Sequence, residues 1–508
     1  MRRKQVICLC LLLVMLPALT PRAYALLAPY RGYTYNIWGD SVPAPAGYIP
    51  EGTVYIQDYG FEPLNAPQDL FVYEDKLYIV DTGNDRIVVL DSGFKPLEVM
   101  SEWTDAAGKV YTLSGPEGIF IRDGELFIAD TLNKRVLRAG LDGRLIAEYG
   151  KPRGDVIPSG FDYRPSKIVA DRSGYIYIMA TGVWQGLITL DSDGEFSGYF
   201  GANSVNMTLS MLATQIWKRL GTKEQREAMV RFVPIEIANI TIDSEDFIFT
   251  VTKGSSDAYS QPVDKIQMLN PTGNNILRYN EEDFNNSDGA IYAKNRYADV
   301  EFDYYRTRMM DSILIDIHAD ENGMFAALDR ERGRVFIYDR ESNPLFIFGG
   351  IGEQTGTFSI PSALEKLGGR YIVADEIKNC LTVFAPTEYA VLVTEAAMLY
   401  NEGLFHEALP LWDRALTINS NLTLAYRNIG RAYLQDENYR EALEYLKLGE
   451  DRAGYSMAYR EYRKEFVQNN LLWIVLIAAA CIFVLGRLLK LILRSLGVTR
   501  EKRSITFK

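Results

Sequence analysis

The sequence predicts a multidomain chain: an all-β propeller of six blades, an all-α helical repeat, and one transmembrane helix. Three observations carry this. The stretch beginning Pro67-Gln-Asp-Leu-Phe-Val-Tyr73 returns 49 residues later as Pro116-Glu-Gly-Ile-Phe-Ile-Arg122 and recurs in weaker form downstream. Glu407-Ala-Leu409 returns as Glu441-Ala-Leu443, an offset of 34. A long apolar run opens at Leu471, and a basic tail follows it. With 508 residues, 47% of them apolar and 24% charged, the chain has material for several cores and is not a disordered type.

The first element is a leader. Met1-Arg2-Arg3-Lys4 is basic, residues 6–16 are apolar, and Ala23-Tyr24-Ala25 has the small-x-small form read by signal peptidase. Residues 1–25 are therefore read as a signal peptide and 26–51 as an N-terminal extension.

The propeller is expected over 52–386. Repeats one and two run through Leu77-Tyr-Ile-Val-Asp81-Thr-Gly-Asn-Asp-Arg86 and Leu126-Phe-Ile-Ala-Asp130-Thr-Leu-Asn-Lys-Arg135. The third starts at Pro165, the fourth contains Asn239-Ile-Thr-Ile, the fifth runs from Asp316 to Asp329, and the sixth from Pro361 to Asp375. Each is a set of short β runs cut by Gly, Asp or Asn turns. Units of 40–50 residues in six copies indicate a propeller. An Asp and an Arg five apart recur as Asp81/Arg86, Asp130/Arg135 and Asp329/Arg334, a pairing that would fix the turn between two strands. Residues 52–59 are expected to pair with the last blade and close the ring. Two insertions interrupt it. Residues 203–232 have helical spacing. Residues 274–310 are read as a long loop holding Tyr279, Tyr292, Tyr297, Tyr304 and Tyr305.

The Pro-x-x-φ…Leu-Tyr-Ile-Val-Asp-Thr-Gly-Asn-x-Arg-Ile pattern resembles the NHL repeat. The match is strongest in repeats one and two. It weakens in repeat three, where Ala180 replaces the Asp, and in repeat four.

Residues 389–468 take helical spacing. At the offset of 34, Ala396 aligns with Gly430 and Ala408 with Ala442, small residues that let paired helices approach. With Tyr426, Gly430, Tyr433 and Ala442 this resembles the tetratricopeptide repeat, capped by a last helix that continues toward the membrane. The resemblance implies a peptide-binding concave face, which here would show Asn401, Arg427, Asn428, Arg431 and Gln435. Either arginine could meet a partner carboxylate. The same segment could instead be a plain stalk.

The span is placed at 469–493 and the basic tail at 494–508. About 20 residues cross a bilayer core, and Arg487 and Lys490 can snorkel at its end. The excess of Lys and Arg after the span puts the C-terminus in the cytoplasm and the N-terminal ectodomain outside. Without the leader's four basic residues and the seven basic and one acidic residue after Leu471, the ectodomain holds 43 basic and 65 acidic residues, a net of −22. That field argues against nucleic acid as a partner. Of four cysteines only Cys380 lies in the ectodomain, so it has no internal disulfide, and a bacterial surface is the expected setting.

Catalysis has little to build on. The only histidines are His318 and His406, so a three-histidine metal site is excluded. The resemblance implies two enzymatic relatives, a zinc-dependent peptide-amidating lyase and metal-dependent lactonases. The first needs several histidines. The second needs oxygen ligands converging on the central channel. The position two residues after each repeat's Pro or its equivalent holds Asp69, Gly118, Lys167, Asn239, Asp316 and Ala363. Asp69, Asn239 and Asp316 could share a calcium ion with Glu117 or Glu236 nearby, and Lys167 would oppose it. The reading is a membrane-anchored extracytoplasmic binding or scaffold protein with a protein partner, for which a small-molecule or glycan ligand stays open. It resembles NHL-propeller surface proteins of Gram-positive bacteria, some associated with solute uptake. A metal-dependent lactonase or hydrolase of an extracellular carbohydrate-derived substrate is the alternative. No cofactor other than calcium is suggested.

Overall fold

The computed structural model describes residues 28–35, 41–153, 160–183, 185–201, 237–252, 265–277, 297–303 and 308–495. The leader, the 203–232 insertion, Glu236, Tyr279, Tyr292, Tyr304, Tyr305 and the tail beyond 495 lie outside them.

Six small antiparallel sheets form the blades. Blade one is Pro67–Tyr73, Lys76–Asp81, Arg86–Leu90 and Pro96–Met100. Blade two is Pro116–Arg122, Glu125–Asp130, Arg135–Gly140 and Leu145–Tyr149. Blade three is Pro165–Ala170, Ile176–Ala180, Leu187–Leu190 and Phe196–Phe200. Blade four has three described strands, Ile237–Ile242, Ile248–Thr252 and Ile266–Leu269. Blade five is Leu314–Ala319, Phe325–Asp329, Arg334–Tyr338 and Pro344–Gly349. Blade six takes Pro361–Leu367, Arg370–Asp375 and Cys380–Pro386 from the end of the propeller and Tyr48–Val54 from its beginning.

That last pairing closes the ring, with Leu381 opposite Val54 and Pro386 opposite Tyr48. Joining the two ends of the propeller within one sheet leaves no free edge at the seam. The closing strand lies earlier than the 52–59 expected from sequence. Ile56–Tyr59 is instead a 3-10 turn, because Ile56 is drawn into the core with Leu64, Leu70 and Phe94 while Gly60 turns the chain at a φ of 83°. Apolar residues of the middle strands, such as Ile79, Val88, Ile128, Leu137, Ala327 and Phe336, fill the spaces between blades.

The Asp of each strong repeat does more than meet an arginine. Asp81 accepts from Arg86 Nε at 2.7 Å, Asn84 Nδ2 at 2.9 Å and Asn65 N at 2.6 Å. Asp130 repeats the set with Arg135, Asn133 and Ser114 at 2.7, 2.9 and 2.8 Å. The backbone amide always comes from sixteen residues upstream, in the loop leading to the innermost strand. Asp329 takes Ile313 N at 3.2 Å, and Asp375 takes Ser359 N at 2.6 Å. One carboxylate thus ties two loops at one face of the blade. In blade five Arg334 keeps its register opposite Asp329, and its guanidinium reaches Asp299. In blade six Cys380 stands at the arginine's position.

Among the described residues three hairpins lie outside the blades. Glu102–Thr104 with Val110–Thr112 buries Trp103 beside blade two. Tyr33–Tyr35 with Ser41–Pro43 belongs to the N-terminal extension. Val300–Asp303 with Arg308–Asp311 replaces part of the loop expected over 274–310; the sequence between the two strands, Tyr304-Tyr-Arg-Thr307, has no Gly or Pro to signal a turn.

Two compact units divide at Asn401 and Glu402, inside the 389–468 segment that the sequence suggested as one domain. The first helix, α1 (Glu388–Asn401), belongs to the propeller unit. Tyr389 sits edge-on against Phe346 at 5.8 Å, and Asn322 donates to Met398 Sδ at 3.2 Å. The second unit holds α2 (Phe405–Ile418), α3 (Thr423–Gln435), α4 (Tyr439–Leu448) and α5 (Arg452–Ser495). Gly430 is needed where α3 meets α4, since a Cβ there would lie 2.8 Å from Leu446 N. Helix α5 is continuous over 44 residues and, by length and composition, can cross a membrane.

Candidate channel site

The six aligned positions coincide with one backbone feature. Every innermost strand has a register shift ending at that residue: Pro67/Asp69, Pro116/Gly118, Pro165/Lys167, Ile237/Asn239, Leu314/Asp316 and Pro361/Ala363. Such a bulge re-aims the side chain that follows it. Glu117 sits inside the bulge of blade two, half-buried.

The structure brings four of these residues together. Lys167 of blade three forms an ion pair with Asp69 of blade one, passing blade two. It can do so because the intervening residue is Gly118, where a Cβ would lie 2.3 Å from Ser166 O and 3.0 Å from Lys167 Cα. Asp69 Oδ2 accepts from Ile119 N at 2.8 Å. On the other side Asn239 Nδ2 donates to Asp316 Oδ1, which also accepts from Ile317 N at 2.9 Å. Asp316 Oδ2 accepts from Leu364 N at 2.6 Å, and Asn239 Oδ1 from Ile240 N at 2.6 Å. Each carboxylate therefore caps an amide of the next blade, one residue past a small neighbour, Gly118 or Ala363. Asp69, Lys167, Asn239 and Asp316 are all buried.

A second layer, which the sequence reading missed, continues down the channel. His318 lies between Glu365, on its Nδ1, and Asp320 Oδ1, 3.0 Å from its Nε2. Lys366 completes the chain on Asp320. The signal was a period of two from the ring position: Asp316 and His318 alternate along one face of Leu314–Ala319, Asp320 continues the alternation just past its end, and Glu365 follows Ala363 in the same way.

Electrostatics follow from burial and pairing. Burial raises Asp69 against the pull of Lys167. Burial pushes Asp316 up to about 7, with Lys167 lowering it and Asp69 adding to the rise. Burial alone would depress His318, but Glu365 and Asp320 beside it raise it to about 10, an imidazolium at neutral pH. Burial would raise Asp320, yet His318 and Lys366 hold it near 2. Asp316 and His318 both bind protons more tightly when folded. Each contributes stability that is lost as pH rises, over about 4–7 for Asp316 and about 6.5–10 for His318. Asp320 has the opposite sign and loses its contribution as pH falls from 3.8 through about 2. The unfolding midpoint is therefore expected to fall between pH 5 and pH 9. Asp316→Asn should flatten the lower half of that fall, and a midpoint-versus-pH series checks it.

Among the described residues no group of three or more His, Cys, Asp and Glu is placed to hold a metal ion. The oxygens suggested for calcium are engaged: Asp69 with Lys167 and Ile119, Asp316 with Asn239 and two amides. Asn239 turns its donor, not its acceptor, to Asp316. A cation among them would have to displace the Lys167 ammonium.

The helical face suggested for a partner has a mixed fate. Arg427 and Asn428 are buried within α3, and the backbone at Arg427 is so close to Gly449 that a Cβ there would lie 2.5 Å from its N. Arg431 Nε donates to Asp451 Oδ2 at 2.7 Å. Gln435 is exposed at the end of α3. Asn401 ends α1, in the propeller unit.

One further buried cluster was invisible from sequence. Asp299, fully buried, accepts from both Tyr33 and Tyr35 hydroxyls and pairs with Arg334. Burial, with Asp299 adding to it, holds both phenols well above their ordinary range. The cluster pins the N-terminal hairpin to blade five.

No family model matches the chain, and no curated protein matches it. Solved structures similar to it include virginiamycin B lyase from Staphylococcus aureus, at 12% identity and a TM-score of 0.39 over 66% of this chain and 98% of that one. A Bacteroides thetaiotaomicron protein of unknown function gives 9% and 0.41 over 68% and 79%. The extracellular domain of a candidate one-component system from B. thetaiotaomicron gives 10% and 0.32 over 63% and 33%. At these scores the likenesses carry nothing about activity or ligand.

Proposed function

We propose that this chain is a membrane-anchored extracytoplasmic binding or scaffold protein, held by α5 and presenting the propeller and helical units outside the cell. The observation that supports this best is the engaged channel. Its carboxylates, amide and ammonium satisfy one another, so recognition falls to the outer surfaces of the blades and helices. The finer reading is of NHL-like blades and a tetratricopeptide-like α2–α4 segment on a Gram-positive surface, working beside a solute-uptake system through a protein partner. It rests on the repeat residues, the leader and the basic tail.

The test is cross-linking of the full-length protein in its native membrane, followed by affinity capture. A stoichiometric partner, lost when residues 402–468 are deleted, is the expected result. Calcium-dependent turnover of lactones that disappears in Asp69→Ala and Asp316→Ala would replace this reading with the hydrolase.

A further inference from the structure

Helix α5 carries a stripe of aromatic side chains that the described residues leave largely uncovered, Tyr462 being half-buried and the others exposed. Tyr455, Tyr459, Tyr462 and Phe466 follow one another at spacings of four, three and four, and Trp473, Ile477, Ala480 and Val484 continue the face. At about 100° per residue these eight fall within a sector of about 60°. Tyr455, Tyr459, Phe466 and Trp473 are 37, 50, 52 and 64% exposed. The Tyr455 and Tyr459 rings stack at 6.4 Å with planes 5° apart. The face that α5 turns to α4 is a different one, about a quarter turn away. It is made of Gly454 and Ala458, and a Cβ on Gly454 would lie 2.9 Å from Leu446 Cδ2.

Lipid does not account for the upper part of the stripe. The apolar run begins at Leu471, and Tyr455 stands about 24 Å above it along the helix. Headgroups extend only about 5–7 Å beyond the hydrocarbon on each side. Tyr455, Tyr459 and Tyr462 therefore stand beyond the lipid, the first two exposed and the third half-buried, an aromatic line that a second helix would cover. Alternating three- and four-residue spacing is the seam pattern of paired helices. The flanks are of opposite sign, with Arg463 on one side of the stripe and Glu465 on the other. In a parallel pair related by a two-fold axis, the right flank of one helix faces the left flank of its mate. Arg463 then lies beside Glu465 of the second copy, and the reciprocal contact forms as well. Two copies anchored in one bilayer are parallel by construction.

We propose that this stripe is the seam of a parallel homodimer, in which a second copy of α5 docks along residues 455–466 and on through 473–484. The parallel alignment rests on the membrane anchoring proposed above. The test is disulfide cross-linking of the full-length protein in membranes, with Cys8, Cys10 and Cys481 replaced by Ser and Cys380 left buried. Single cysteines are placed on the stripe (Tyr459→Cys, Phe466→Cys) and on the opposite face (Met457→Cys, Lys464→Cys). Dimer bands several-fold stronger from the stripe positions are expected. Arg463→Glu should weaken them and the added Glu465→Arg should restore them. Equal bands all round the helix, or none from the stripe, would overturn the seam. Alkaline carbonate washing is run on the same membranes. A chain that washes off would overturn the anchoring alone, because the cross-link pattern still decides the pairing.

Discussion

Asp81→Ala and Asp130→Ala are each expected to destabilise the propeller by about 3–5 kcal/mol, the range for breaking a buried ion pair from one side. Both carboxylates are fully buried, and the partner arginine side chains are only 10 and 15% exposed. Each substitution takes from a guanidinium its fully buried partner, leaving Arg86 with Glu62 and Arg135 with Glu148 nearer the surface, and also leaves a loop amide, Asn65 N or Ser114 N, without its acceptor. Asp375 separates the two effects. It takes Ser359 N in the same way, but Cys380 stands where the arginine would be. Asp375→Ala should therefore cost less, about 1–3 kcal/mol, the penalty of unsatisfied amides without a buried charge. Denaturant unfolding of the three variants checks the ranking. Equal losses would mean that the arginines contribute nothing.

Lys167→Met is the second large effect, again about 3–5 kcal/mol at pH 8. It removes the ammonium that pairs with Asp69 and that lowers Asp316. The sign with pH is distinctive. Both carboxylates are already raised by burial, so without Lys167 they take up protons as the solution is acidified, and the deficit should shrink toward pH 5. Asp69→Asn in the same chain should recover much of the loss, since no unpaired charge is then left at that position. A deficit that stays constant from pH 8 to pH 5 would mean that Lys167 acts by packing alone.

The propeller was legible because its repeats keep the same residues at the same turns. Pro67, Pro116, Pro165 and Pro361 mark strand starts, and Asp81, Asp130, Asp329 and Asp375 mark strand ends. Even the six ring positions could be aligned, because each follows a bulge at a fixed distance from its strand start. What those residues do to one another could not be read. Lys167 and Asp69 are 98 positions apart, and their meeting depends on Gly118 leaving room in the blade between. His318 looked like one histidine in an apolar strand; the packing of blade six against blade five brings Glu365 to it, opposite Asp320. The Asp299 cluster joins segments 266 residues apart and leaves no local trace. In the helices, the offset of 34 located the close approach at Gly430. Of the side chains read as a concave face, Arg427 and Asn428 are buried, because they lie on the side of α3 that packs inward, while Gln435 is exposed.

The most direct measurement is a calcium titration of the unfolding midpoint, made on the full-length protein in detergent and repeated after chelation. A channel filled by its own Lys167 ammonium predicts a midpoint that calcium leaves in place. A site for calcium in the ring would instead add about 2.7 kcal/mol at a hundredfold excess over its dissociation constant. A saturable rise that disappears in Asp69→Asn and Asp316→Asn would contradict the closed channel, and with it the scaffold reading.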